Sequence, residues 1–554
     1  MFKKTIKINR NIIVIVLFFL ITIIYTYPLI NNFTTYLAGN EGDGWQNVWN
    51  IWWMQESLID NFQNPYFTNK LHYPQGITLA LHTLSPLNTI IGAILSTFVN
   101  YITAYNILFV LSFIASGYGM YLLAYYISKN RIASFLAGFI YAFSPYHMGH
   151  GLGHLNLISL QWMPLFFLYF LKMLNKFNKK NIILVSLFFI FNVLSSFYYA
   201  AFLLLICGLY LFYFFVKEKD LLRIKKLLPA SLIVIILISP FFIYIASQLS
   251  ISTFITTNDP EEWSADLLSY FIPSRIQTIG NYFTGITNKF TGNYAETNYY
   301  LGYILIIIAI YGFWKLRKRI FVQFLGLASV IFFILSLGMH LNVIGIRTLI
   351  PFPYLLLYKF IPGFSYTGVP GRFTVMIIFC LCILFALGLK EFQKRIKNKK
   401  LKQFLFVVIS LILFIEYFPA PFYISRFRVP EFYREISKEN DDYAIMDLHK
   451  NPSQVLYYQT IHNKNIIGGY ISRSTVNAEK FLVETPGIVE FYSEDINNNQ
   501  NINLIISKYQ RKYKYWKIKY LIIESDDKKA FIFENNIKDN IIFKDDLITV
   551  YKLY

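Results

Sequence analysis

Residues 12–30 read IIVIVLFFLITIIYTYPLI, and residues 31–45 that follow read NNFTTYLAGNEGDGW. The first run carries no charge and is as long as the roughly 20 apolar residues that a helix needs to cross a hydrocarbon core. The second opens into two carboxylates, Glu41 and Asp43, set between glycines. The chain before Ile12 is basic from Met1 to Arg10, which imitates a secretory signal. The apolar run continues without a small-residue cleavage site, so it reads as an uncleaved first span.

The same pattern repeats outward from this stretch. Apolar runs at 12–30, 102–126, 131–147, 157–175, 181–196, 198–216, 229–248, 299–316, 320–339, 371–391 and 402–419 give about 11 transmembrane helices. Two further apolar pieces, 86–99 and 348–361, are short and contain or adjoin proline, and read as re-entrant or interfacial segments. Composition agrees. Of 554 residues 55% are hydrophobic and 15% charged, against about 25% charged in soluble domains. The expected fold is therefore a polytopic α-helical membrane protein.

Charge gives the direction. Residues 1–419 hold 32 Lys and Arg against 13 Asp and Glu, whereas residues 420–554 hold 19 against 18. The net charge of +20 thus belongs to the membrane part, and nucleic-acid binding is not expected. Basic residues cluster at 3–10, 129–131, 172–180, 217–226, 315–319 and 390–402, alternating with the spans. The positive-inside rule makes those segments cytoplasmic. The N-terminus is then cytoplasmic, and the long loops 31–101, 248–298 and 340–370 lie outside with the tail. All eight histidines fall on that outer side. The cytoplasmic loops carry no glycine-rich phosphate loop, which argues against ATP-driven chemistry.

The tail, 420–554, changes character. Apolar runs at 443–448, 465–471, 519–524 and 547–553 read as short strands between charged stretches, with an Asn-rich loop at 496–503. A small α/β extracytoplasmic domain is expected beyond a membrane domain of residues 1–419. Cys207, Cys380 and Cys382 lie in apolar runs and read as buried thiols, not as a disulfide or a zinc site.

Three constellations could carry chemistry. In the first, Glu41 and Asp43 could supply a general base or ligate a divalent metal ion; equally, Asp43 could cap the helix that follows. Trp45, Trp49, Trp52 and Trp53 fall on one helical face, so residues 45–58 should form an amphipathic helix lying in the membrane–water interface. The second constellation is residues 143–154, with His147, His150 and His154. Their spacing suits metal ligation, but the interleaved glycines argue against a helix, and a phosphate- or sugar-binding loop or a plain interfacial loop fits as well. The third is residues 363–373, where Arg372 enters a span. It could snorkel to water or hold a lipid phosphate. Glu296 and Arg275 stand in comparable positions.

Together these features resemble the GT-C superfamily of polytopic glycosyltransferases. More closely, the chain is similar to a group of bacterial membrane proteins regarded as glycosyltransferases. The stretches that carry the likeness are Gly42-Asp43, Phe143-Ser144-Pro145-Tyr146, His150, Gly153-His154-Leu155, Gln161-Trp162-Met163-Pro164, Tyr300-Leu301-Gly302 and Val369-Pro370-Gly371-Arg372-Phe373. In the tail they are Tyr457-Tyr458-Gln459-Thr460-Ile461-His462 and Gly468-Gly469-Tyr470-Ile471-Ser472-Arg473. His147 stands where an arginine is expected.

The resemblance implies transfer of a sugar from a polyprenyl-phosphate-linked donor to a cell-envelope glycan, lipid or protein acceptor, with inversion. Asp43, helped by Glu41, would activate the acceptor or share a metal. Arg372, Arg275, His147, His150, His154 and Glu296 would line the substrate site. Two rivals come from other classes: a lipid or polysaccharide flippase, and a non-catalytic protein that binds an envelope polymer. The spans carry few ionisable residues, which disfavours transport.

Overall fold

The computed structural model describes residues 10–255, 259–361, 364, 368–419, 421–492 and 502–554. The basic residues 3–9, most of the Asn-rich stretch 496–503, and residues 363 and 365–367 of the third constellation lie outside the described residues.

A helix lies in each of the eleven apolar runs: Arg10–Tyr25, Tyr101–Ser128, Arg131–Phe143, Trp162–Asn175, Lys179–Ser195, Phe197–Glu218, Leu228–Ile251, Tyr303–Leu316, Ile320–Ser336, Thr374–Arg395 and Lys399–Tyr417. Asparagine starts several of them. The side chains of Asn100, Asn130, Asn178 and Asn398 each accept a bond from a backbone N–H of the first turn, one of the donors a helix leaves unpaired there. By length and apolar character, the four segments Tyr101–Ser128, Phe197–Glu218, Leu222–Ile251 and Pro370–Arg395 are able to cross a membrane. The protein is a membrane protein.

Burial separates an inner helix from an outer one. Some 89% of the most apolar stretch within Pro370–Arg395 is buried, against 17% within Leu222–Ile251. The inner helix meets Tyr303–Leu316 through Gly312 and Gly388, where a side chain on Gly312 would strike Gly388 Cα at 2.7 Å. Small residues allow that close crossing. The outer helix instead exposes Leu232, Ile235, Ile236, Leu237 and Ile243, a surface that suits lipid.

Among the described residues, neither short piece forms a helix of membrane-spanning length. Pro86–Ser96 rises about 16 Å at 1.5 Å per residue, half a hydrocarbon core. Residues 340–361 form a hairpin of His340–Val343 with Ile346–Pro351, and then the helix Tyr354–Phe360.

In the tail, a five-stranded sheet runs in the order Ile541–Lys544, Ile548–Lys552, Ile518–Glu524, Ala444–Asp447, Asn465–Ile466. The first three strands are antiparallel, and the last two lie parallel to Ile518–Glu524 and to each other. The helix Pro452–His462 makes the crossover between Ala444–Asp447 and Asn465–Ile466. Strands occur in all four expected runs; Ile541–Lys544 is an addition, and residues 467–471 are irregular.

The interfacial helix requires correction. Helix Asp43–Met54 forms, but every residue from Gly44 to Met54 is buried. The crossover helix of the tail packs against it. Trp45 packs in tilted geometry on Phe427 and Tyr457 at 4.8 and 4.5 Å and donates to Ser425 Oγ at 3.0 Å. The one-sided tryptophan stripe is real, yet Gln46, Asn47 and Asn50 on the other sides are also buried, each with hydrogen-bond partners. A helix enclosed all round is a core helix.

Candidate active site

The acid turn is fastened to the histidine stretch through backbone carbonyls of the latter. Asn40 N–H donates to Leu152 O at 3.0 Å, and Asn47 Nδ2 donates to Gly153 O at 2.9 Å. Gly39 has φ +114°, and a side chain on it would strike Leu152 O at 2.5 Å; one on Gly153 would strike Gly44 N at 2.8 Å. Only glycine allows this approach, which brings Asp43 beside the histidines. Contrary to the expectation for a glycine-rich loop, Pro145–His150 is a helix, with Pro145 in its first turn and Ser144 accepting from His147 N–H.

Asp43 is the first residue of its helix, and Gly42 is the cap, so the carboxylate is not used for capping. It faces two partners. Tyr470 donates its hydroxyl to Oδ1 at 2.7 Å, and His154 Nε2 lies 3.2 Å from Oδ2. His154 Nδ1 is 3.2 Å from His150 Nδ1, and His150 Nε2 is 3.8 Å from Glu296 Oε2. Glu296 Oε1 accepts from Arg372 Nε at 3.0 Å and from its Nη2. The guanidinium then lies 4.4 Å over the Tyr198 ring. A continuous polar line thus runs Tyr470–Asp43–His154–His150–Glu296–Arg372–Tyr198.

Burial deepens from Asp43 to His150 and eases again toward Arg372. Side-chain exposure is 35% for Asp43, 16% for His154 and 4% for Glu296. Arg372 does not snorkel: its side chain is 11% exposed and ion-paired. Its placement follows from Gly371, where any Cβ would collide with the Tyr299 hydroxyl.

Electrostatics fix the protonation states. Burial alone would raise the Asp43 carboxyl, but the hydrogen bond and charge of His154, the Tyr470 hydroxyl and the Arg372 charge outweigh it and hold it at about 2. Burial also opposes ionisation of Glu296, yet the charge and hydrogen bonds of Arg372 outweigh it and hold it at about 2. Burial, with the neighbouring positive charges, pushes His150 well below its ordinary value against the pull of Glu296. At neutral pH both carboxylates are charged and His150 is neutral.

One nitrogen of His150, one of His154 and a carboxylate oxygen of Glu296 lie within 4.8 Å of one another. Glu296 Oε2 is buried without a hydrogen-bond partner, and imidazole nitrogens with a carboxylate suit zinc and similar divalent ions. These residues fit a metal; Glu41, exposed, is not among them.

The other expected residues lie apart. Glu41 is engaged through its backbone carbonyl, which accepts from Asn451 at 2.9 Å. Arg275 bonds Asn288 at 3.0 Å and lies over Tyr294. His147 is packed on Phe113 with both ring nitrogens at backbone carbonyls, Ala142 at 2.7 Å and Ile158 at 2.8 Å, so it does not line the site. Tyr470 and Tyr198 were not singled out from the sequence as site residues. Tyr470 lies 427 residues from Asp43, and no local pattern connects them.

Comparison with solved structures gives three similar folds. An oligosaccharyltransferase from Archaeoglobus fulgidus, solved tethered to an acceptor peptide containing the NVT sequon, matches with TM-score 0.52 and 13% identity over 96% of this chain and 71% of its own. The same enzyme has been solved with zinc and sulfate. The arabinofuranosyltransferase AftD from Mycobacteria matches at 0.61 and 10% over 98% of this chain, which spans 41% of AftD. ArnT from Cupriavidus metallidurans, in its apo state, matches at 0.52 and 9% over 99% of both chains. The chain therefore has the GT-C fold. No curated protein sequence matches it. Residues 13–416 match a family described as a domain of unknown function, DUF6311.

Proposed function

The chain belongs to the DUF6311 family, and from that premise we propose that it is a membrane glycosyltransferase. It takes a sugar from a polyprenyl-phosphate donor and passes it to a cell-envelope acceptor, with inversion. The observation that carries this reading is the polar line from Asp43 to Arg372, set on a GT-C fold at the helix ends that meet the tail. A transporter would place such groups along a path through the bilayer. The topology belongs to the proposal: eleven crossings, a cytoplasmic N-terminus, and residues 420–554 as an extracytoplasmic domain.

The chemistry follows from the gradient of exposure. Asp43, the most accessible and ionised, accepts the proton of the acceptor hydroxyl as the oxygen bonds to the anomeric carbon. The sugar–phosphate bond breaks on the opposite face, and the phosphate leaves with its charge held by Arg372. With its carboxyl held at about 2, Asp43 binds the proton only late, as the hydroxyl becomes acidic through bonding to carbon. His154, on the second carboxylate oxygen, orients it and gives the proton an exit. His150, His154 and Glu296 would hold a divalent ion, which would supply Lewis-acid stabilisation of the leaving phosphate.

The test is turnover. The purified chain in nanodiscs, given a prenyl-phosphate sugar and an envelope extract as acceptor, should release prenyl phosphate. No release over the Asp43→Asn background with any donor of a panel would end the reading.

A further inference from the structure

Between Ile496 and Ile523 the chain holds six Lys and Arg and no Asp or Glu. Within this stretch lies the helix Ile502–Tyr515, whose Ile502, Ile506 and Tyr513 are buried. They join Ala444, Met446, Leu521 and Ile523 in a core of the tail's own. Side chains alternate across a strand, so Ile445, Tyr520 and Ile522 point to the other sheet face, where they belong to the core shared with the membrane helices. The helix therefore covers the sheet face turned away from the membrane domain.

Its outward side is cationic. Lys508, Arg511, Lys512 and Lys514 are exposed, and Tyr515 beside them is 83% exposed. Offsets of 0, 3, 4 and 7 put Lys508, Arg511, Lys512 and Tyr515 on one side of the helix. The cations that follow the helix are neutralised, Lys517 by Asp442 at 2.9 Å and Lys519 by Glu439 at 3.0 Å. Among the described residues the four on the helix meet no carboxylate at ion-pair distance; Lys508 and Lys512 lie over the Tyr509 ring. Like charges three and four residues apart weaken a helix, and this helix holds no acid to offset them. The tail as a whole has 19 Lys and Arg against 18 Asp and Glu, so the face arises from placement and not from an excess of charge.

We propose that this face binds an acidic polysaccharide, a polymer that repeats a carboxylate or phosphodiester along its length. Each anion set between two of these cations relieves their repulsion. Arg511 offers a planar fork that matches either group, and the Tyr515 ring offers a flat apolar surface to a sugar. An anionic membrane surface suits the face poorly, because the sheet stands between the helix and the core of the membrane domain. The surface is separate from the line Asp43–Arg372, and the proposal stands whether or not that line transfers sugars.

The experiment titrates the full chain, in phosphatidylcholine nanodiscs, with polygalacturonate, dextran and duplex DNA. Polygalacturonate should bind, more weakly as salt rises, and dextran should not. The triple variant Lys508→Gln, Arg511→Gln, Lys512→Gln should lose about 10- to 100-fold in affinity, and Arg511→Gln alone a smaller part of that. Lys438→Gln, Lys538→Gln and Lys552→Gln together remove the same charge from other exposed positions of the tail and should bind as the unaltered chain does. The unfolding midpoint of the first triple variant should not fall, because only exposed like charges are removed. Unchanged binding by that variant, or an equal loss in the second, would overturn the proposal. Dextran binding as tightly as polygalacturonate would remove charge from the recognition and overturn it too. Tighter binding of DNA, or capture of phosphatidylglycerol vesicles that the first triple variant abolishes, would replace the polysaccharide with another partner.

Discussion

Trp49 donates its indole N–H to Gln459 Oε1 at 2.7 Å, across 410 residues of sequence and inside a core where neither side chain is exposed. The amide of Gln459 donates in turn to Lys70 O at 2.7 Å and Lys464 O at 3.0 Å. One glutamine therefore ties the first-loop helix, the loop after it and the tail. Gln459→Leu leaves the Trp49 indole N–H and Lys464 O unpaired, while Lys70 O keeps the Ile466 N–H, at about 1–3 kcal/mol for each that finds no water. Thermal unfolding should show a marked loss; an unchanged midpoint would mean that the tail is not docked there.

Asp43→Asn keeps the shape of the side chain and removes its basicity, so turnover should fall by about 10²–10⁴-fold. Glu41→Gln, altering an exposed residue joined to the tail by its backbone, should turn over at close to the unaltered rate. A larger loss from Glu41→Gln than from Asp43→Asn would transfer the role of base to Glu41.

Glu296 and Arg372 form a buried pair, and removing one partner strands the other's charge. Glu296→Gln or Arg372→Met alone should destabilise by about 3–5 kcal/mol. The double variant should recover much of that stability while remaining inactive, as a double-mutant cycle can read. Additive losses would show that the two charges do not depend on each other.

Acid should weaken the protein in two stages. Burial holds His82 and His462 at about 3, against the pull of Asp43 and Asp447 respectively. Folded, both stay neutral, so their contribution is fully present above the ordinary value near 6.5 and declines as pH falls below it. Each adds a slope of up to about 1.4 kcal/mol per pH unit. His449 runs the other way, because Asp447 overcomes the effect of burial and raises it. Asp43 and Glu296, both held at about 2, add a second loss as pH falls below about 4. Unfolding midpoints between pH 7 and 4 should drop, and His462→Gln should flatten the drop; a flat profile in the unaltered chain would contradict the burial of neutral histidines.

Zinc or manganese should raise the unfolding temperature of the unaltered chain, by mass action on the folded state. His150→Ala and Glu296→Gln should each abolish that shift, while Glu41→Gln should leave it intact. A shift that survives the first two variants would put the metal elsewhere.

The sequence by itself determined the eleven apolar helices, the shortness of the two further apolar pieces, and the runs that became strands. These features follow from local hydrophobic length and alternation, which a segment carries whatever surrounds it. It also marked Asp43, His150, His154, Glu296 and Arg372, because acids, imidazoles and a guanidinium beside glycines are conspicuous in an apolar chain. Only the tertiary structure decided that Tyr470 belongs with them, that His147 and Arg275 do not, and that the tryptophan helix is a core element rather than an interfacial one. The tryptophan spacing 0, 4, 7, 8 is the same whether lipid headgroups or another part of the protein cover that face. What covers it here is a helix more than 400 residues away, and a contact between distant segments depends on the packing of the whole chain, which no local pattern encodes.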